Sequence, residues 1–143
     1  MSLSGGSDIA AGAALQHVFG YAVGIDMTRR DLQNAAKEQG RPWDSGKAFD
    51  HSAPCSELHP VAQTGHPSAG RISLTVNDEM RQQADLNQMI WQVAEIIAEL
   101  SCLFELKAGD LIYTGTPAGV GPVSKGDRMV AAIEDVASLE IRC

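Results

Sequence analysis

The 143-residue chain carries 18 acidic against 11 basic side chains, a net charge of −7 with histidine neutral. Nucleic acid and anionic lipid would both repel such a chain, and no basic cluster exceeds Arg29-Arg30, so neither is expected as a partner. Its length suits one domain spanning residues 1–143, and no apolar run approaches the ~20 residues of a membrane span.

Three cysteines without a C-x-x-C pair fit a reducing, cytoplasmic setting; Cys102 reads as buried packing and Cys55 and Cys143 as incidental. The polar start "MSLSGGSDIAAG" lacks the charged-then-apolar layout of a secretory leader. Asp8 is placed to cap a short Ala-rich helical stretch after it. Phe19 to Thr28, β-branched and aromatic with no charge before Asp26, predicts a buried strand. Thr28 caps the next helix, Asp31 complements its positive end, and Gly40 stops it.

Arg41 to Gly70 scatters Pro, Gly, Ser and His with no sustained period, which predicts a long irregular excursion anchored by buried Trp43 and Phe49. Ile72, Leu74 and Val76 alternate ahead of Asn77-Asp78, the signal of a hairpin. Apolar residues at Met89, Val93, Ile96, Ile97, Leu100 and Phe104 recur with helical spacing, and Met89, Ile90 and Trp91 read as core. "DLIYTGT" predicts another strand, and "DRMVAAIEDVASLEIRC" a closing hairpin that turns at Glu134-Asp135. The fold class expected from these elements is α+β, mainly β.

The Gly- and Pro-rich stretch "YTGTPAGVGPV" is neither a G-x-G-x-x-G fingerprint nor a P-loop, because Lys125 is followed by Gly126 and Asp127. Asp26 stands out as an acid in an uncharged strand. A buried carboxylate has to be paired, hydrogen-bonded or bound to metal, so it reads either as a partner of Arg29 or Arg30 or as a ligand for a hard divalent cation. Arg30 and Gln33, three apart, share a helix face, whereas Arg29 lies about 100° round the helix. Lys47 in "SGKAFD" lies between glycine and an apolar pair. His17, His51, His59 and His66 have no metal-ligand spacing and read as loop or surface residues. The residues alone define an acidic α+β domain with an anion-accepting site around Asp26, Arg30 and Lys47, and name no reaction.

In order, "GYAVGIDMTRRDLQ", "GRPWDSGKAFDHSAP", "ISLTVNDEMRQQ" and "LKAGDLIYTGTPAGVGPVSKGD" resemble the fumarylacetoacetate hydrolase family, in particular its bacterial fumarylpyruvate hydrolases, over about Asp8 to Cys143. The resemblance implies a mixed β-roll, a hydrolase cleaving a carbon–carbon bond in a 2,4-dioxo acid such as fumarylpyruvate, and Mg²⁺ or Mn²⁺ as cofactor. It implies Asp26 as a metal ligand, Arg30 and Gln33 as binders of the substrate acid, Lys47 as the catalytic group holding the developing enolate, and Thr116 at the acid's carboxylate end. It further implies a small 2-oxo or dioxo acid as ligand and a homodimer or larger homo-oligomer. The family's E-x-E motif and His–Glu lid have no counterpart ahead of Asp26. The chain therefore reads as the C-terminal part of such an enzyme, N-terminally truncated, with metal weakly bound or absent. A non-catalytic oligomerising or acid-binding domain, or an oxaloacetate decarboxylase-type member, is the alternative.

Overall fold

A computed structural model describes residues 5–143, so the polar start read at Met1–Ser4 lies outside the described residues. The sheet that organises the molecule has the order β4-β3-β5-β6, formed by β3 (Arg71–Val76), β4 (Glu79–Asp85), β5 (Arg128–Ile133) and β6 (Ala137–Arg142), every neighbour antiparallel. Asn77 and Asp78 adopt φ of 51° and 68°, the positive values that a two-residue hairpin demands. Between β5 and β6 the chain turns at Glu134 and Asp135, the latter at φ 57°, as the sequence predicts. Alternation puts Val76, Met129 and Ala131 on one face, where they bury against Val23 and Ile25.

A second core forms away from the sheet. There α1 (Ala11–Ala14) and α4 (Val93–Leu103) pack Ile9, Ala14, Val18, Ile97 and Leu106 together. Asp8 does not cap α1; its φ of 52° takes it into a turn, and its backbone N–H donates to the Ser101 carbonyl at 3.0 Å. Ser101 is 2% exposed, and its hydroxyl accepts from the Ile9 N–H and donates to the Ala98 carbonyl, each at 2.8 Å. The remaining pieces are β1 (Gly20–Tyr21), α2 (Arg30–Glu38), β2 (His59–Pro60) and α3 (Val61–Thr64).

The strand expected over Phe19–Thr28 is regular only at β1, which pairs with β2. Beyond it the backbone is held by the irregular excursion: Ile25 and Met27 donate to the carbonyls of Pro54 and Ser52, and Ser56 donates to that of Val23. Pro54 accepts from Ile25 but has no N–H to return, and pairing there is confined to a single bridge between Gly24 and Cys55. Residues 110–116 are likewise not a strand: Ile112 packs on the helical core while the Tyr113 hydroxyl donates to the Ala53 carbonyl at 2.8 Å.

Helix α4 begins later than its apolar period suggests. Asp85 instead caps a single 3₁₀ turn, Leu86–Gln88, and Ile90 is 95% exposed with Trp91 and Phe104 also exposed, so the core role expected of Met89, Ile90 and Trp91 is not met as a group. Cys102 is exposed rather than buried. Trp43 is exposed as well, its ring covered on one side by the Lys37 ammonium at 4.8 Å. Gly40 does end α2, at φ 61° with its N–H on the Lys37 carbonyl. No helix among the described residues is long and apolar enough to cross a membrane.

Candidate functional site

A cavity of about 710 Å³ opens between the inner face of the sheet, the start of α2 and the turn at 115–123. Its floor is apolar, from Ile72, Leu74, Val76, Met129 and Ala131, and its rim is polar. Asp26, Arg30, Gln33, Lys47 and Thr116, the residues singled out from sequence, all line it.

Local sequence explains how Lys47 arrives. Residues 44–46 form a 3₁₀ turn lying on the first turn of α2, and the Arg29 N–H donates to the Gly46 carbonyl at 2.9 Å. A Cβ on Gly46 would sit about 3.1 Å from the Gln33 backbone nitrogen and Cβ, tighter than ordinary contact, so glycine permits the approach. The next residue then projects its ammonium onto Asp26, where the two form an ion pair, and donates to the Thr28 hydroxyl at 3.0 Å. Asp26 is therefore paired, but with Lys47 rather than with Arg29 or Arg30, and its side chain is 49% exposed rather than buried. Thr28 serves this contact in place of the expected helix cap; the N-cap position of α2 is Arg29, without a side-chain cap.

On α2 the shared face is realised: the Arg30 guanidinium donates to the Gln33 side-chain oxygen at 2.7 Å, and Gln33 is buried. Arg29 also borders the cavity, with its guanidinium 4.3 Å from the centre of the Phe49 ring. Four cationic side chains (Arg29, Arg30, Lys47, Arg81) and two acidic ones (Asp26, Asp31) line the space.

Arg81, Gln82 and Tyr113 are among the lining residues that the sequence does not single out. Arg81 and Gln82 come from β4, and Gln82 donates to the Thr116 hydroxyl oxygen at 2.9 Å and to the Pro117 carbonyl at 2.6 Å. Tyr113 lies against Gly24, where any side chain would collide with its ring. Burial pushes the Tyr113 phenol above its ordinary value, with Cys55 and Asp26 acting in the same direction. The available signal for Gln82 is a strand, "EMRQQAD", whose polar residues outnumber what one solvated face needs.

Among the described residues no group of three or more His, Cys, Asp or Glu side chains comes together as a metal site. Asp26 could supply one carboxylate, already engaged by Lys47, so these residues alone do not fit a complete divalent-cation centre.

A family model described as Fumarylacetoacetate (FAA) hydrolase C-terminal matches residues 4–143. The chain belongs to this family. It is 47% identical over 124 residues to a fumarylpyruvate hydrolase of a Ralstonia species, covering 87% of this chain and 64% of that one. An oxaloacetate tautomerase of Escherichia coli is 45% identical over 118 residues, covering 82% of this chain and 54% of that one. Among solved structures, fumarylpyruvate hydrolase from Pseudomonas aeruginosa in complex with Mn²⁺ and pyruvate superposes with a TM-score of 0.96 at 54% identity, over 99% of this chain and 60% of that one. The family chain thus spans between half and two thirds of these relatives' lengths, and its α+β architecture is theirs.

Proposed function

We propose that this chain supplies the 2-oxo-acid-binding part of a hydrolase that cleaves the carbon–carbon bond of a 2,4-dioxo acid such as fumarylpyruvate, giving fumarate and pyruvate. The observation that supports it is the convergence of Arg30, Gln33, Lys47 and Thr116 on one cavity, a donor-rich rim over an apolar floor. In the proposed reaction, water adds to the acyl carbonyl, the bond to the neighbouring carbon breaks, and its electron pair leaves as the enolate of pyruvate, which takes up a proton. Lys47 is the group assigned to the enolate oxygen, because an ammonium stabilises negative charge that develops there. Arg30, positioned by Gln33, is assigned to the carboxylate.

Asp26 is proposed as the carboxylate that meets Mg²⁺ or Mn²⁺, with weak affinity as a result because no group of three or more ligands gathers around it among the described residues. Calorimetry returning micromolar affinity for either ion would overturn that. A homo-oligomer is proposed as the working form, supported by exposed Ile90, Leu103 and Phe104. The segment around Val23 and Ile25 is buried and is not part of that surface. A strictly monomeric mass by light scattering at tens of micromolar would count against it. Cytoplasmic residence is proposed on the three free cysteines.

The second reading, an acid-binding domain without turnover, is favoured by the engagement of Asp26 with Lys47. Release of pyruvate from fumarylpyruvate in the presence of Mn²⁺, run beside an oxalate titration and an oxaloacetate arm, separates the two. Turnover supports the hydrolase, oxalate binding with no turnover of either substrate supports the binding domain, and neither event refutes both.

A further inference from the structure

Strand β4 leaves its register once. Leu74 faces Gln82 while Thr75 faces Met80, so Arg81 is an extra residue on β4. A bulge of this kind re-aims the side chains beside it. Arg81 and Gln82, adjacent in sequence, consequently both line the cavity.

Gln82 is 8% exposed and stands opposite Leu74, among the apolar side chains of the inner face. Its carboxamide therefore needs partners, and finds them on the turn across the cavity, at Thr116 Oγ1 and the Pro117 carbonyl. The Pro117 carbonyl can only accept, so the amide nitrogen must face the turn and the orientation of the carboxamide is fixed by chemistry. A hydroxyl whose oxygen accepts from Gln82 keeps its own hydrogen for another acceptor. The turn is also brought against the bulge at Gly119, whose φ is 102° and whose Cβ would collide with the Arg81 carbonyl.

We propose that Gln82 is a positioning residue that latches the turn at 116–119 onto the β4 bulge and fixes Thr116 as a hydrogen-bond donor toward the carboxylate of the bound acid. This rests on the reading that Thr116 meets that carboxylate, and it makes the polarity at position 82, rather than its size, the determinant of anion affinity.

Two substitutions separate polarity from packing. Q82M keeps bulk and removes both donors; Q82E keeps shape but offers an acceptor, so the Thr116 hydroxyl turns toward the introduced carboxylate and its hydrogen is withdrawn from the ligand. Three readouts on the 143-residue chain are needed: oxalate affinity by titration, the thermal midpoint, and the rate of limited proteolysis within residues 115–123. Expected is a fall in oxalate affinity of about tenfold for Q82M and at least about tenfold more for Q82E, with similar midpoints for the two and cleavage of the turn about tenfold faster in both. Equal affinities in Q82M and Q82E overturn the donor role, and so does a wild-type chain that binds no oxalate. Unchanged cleavage in both variants overturns the latch whatever the affinities. Should Q82M fail to fold, Q82E is judged on the same cleavage and affinity criteria against the wild type.

Discussion

Arg29 and Arg30 are neighbours in sequence, both border the cavity, and the structure gives them different work, which makes the pair a self-controlled experiment. Arg30→Ala removes a guanidinium fixed by a 2.7 Å bond to Gln33, the group assigned to the substrate carboxylate. A hydrogen bond to a charged group contributes ~1.5–3 kcal/mol, so oxalate or pyruvate affinity should fall by roughly 10- to 150-fold. The same change strips the buried Gln33 oxygen of its donor and should cost on the order of 1 kcal/mol of stability. Arg29→Ala removes a guanidinium stacked 4.3 Å over Phe49, worth about 0.5–1 kcal/mol of stability, and no assigned ligand contact. The two variants should therefore melt within a few degrees of each other, since 1 kcal/mol moves the midpoint by roughly 2–5 °C in a chain of this size. Only Arg30→Ala should lose the ligand. Paired calorimetric titrations with melting curves on the same samples give both quantities. Equal losses of affinity would refute the assignment of Arg30 and return it to an ordinary charged helix start.

Gly119→Ala should destabilise by at least ~2 kcal/mol, from a strained positive φ and a collision with the Arg81 carbonyl, whereas Gly121→Ala, with open space around it, should stay within about 0.5 kcal/mol; similar midpoints in urea would contradict the close approach. Ser101→Ala leaves the Ile9 N–H without its partner inside the helical core and should cost ~1–3 kcal/mol, read as a lower denaturation midpoint with unchanged slope. The Arg128 guanidinium, hydrogen-bonded to Glu140, holds that carboxyl below its ordinary range. Because the folded value is depressed, its contribution is complete above the unfolded value of about 4.3 and disappears as the pH falls through the folded one. Denaturation midpoints followed from about pH 6 to 3 should accordingly fall less steeply in E140Q than in the wild type, and parallel curves would show that the pair adds nothing.

What could be read from the sequence divides by range. Both hairpins declare themselves locally, through turn residues that tolerate positive φ and alternation on either side. The start of α4 is also written locally, in Gln92 and Glu95, whose side chain accepts from the Gln92 N–H at 2.7 Å; the apolar residues 89–91 mask it by falling on a helical period without being helical. Around the cavity, Arg30 and Gln33 follow from helical spacing alone. Lys47 is marked in the sequence by its setting between glycine and an apolar pair, but its catalytic role, like Thr116 itself, comes from resemblance, since nothing in the loop after α2 predicts that Gly46 will lean back on that helix. Gln82 shows only as one of a surplus of polar residues on its strand, because its partner is 34 residues away and a single extra residue decides which side chain faces inward.

The crowding of four of the chain's eleven basic side chains around one cavity, in a protein of net charge −7, has a kinetic meaning. At long range an approaching dianion feels the whole acidic surface and is turned away; only within about a Debye length of the opening, ~8 Å at physiological ionic strength, do the local cations prevail. Added salt weakens the distant repulsion sooner than the short-range attraction. Association with an anionic ligand should then quicken as salt is raised from very low concentration, the reverse of the slowing seen where a protein's overall charge steers its ligand in.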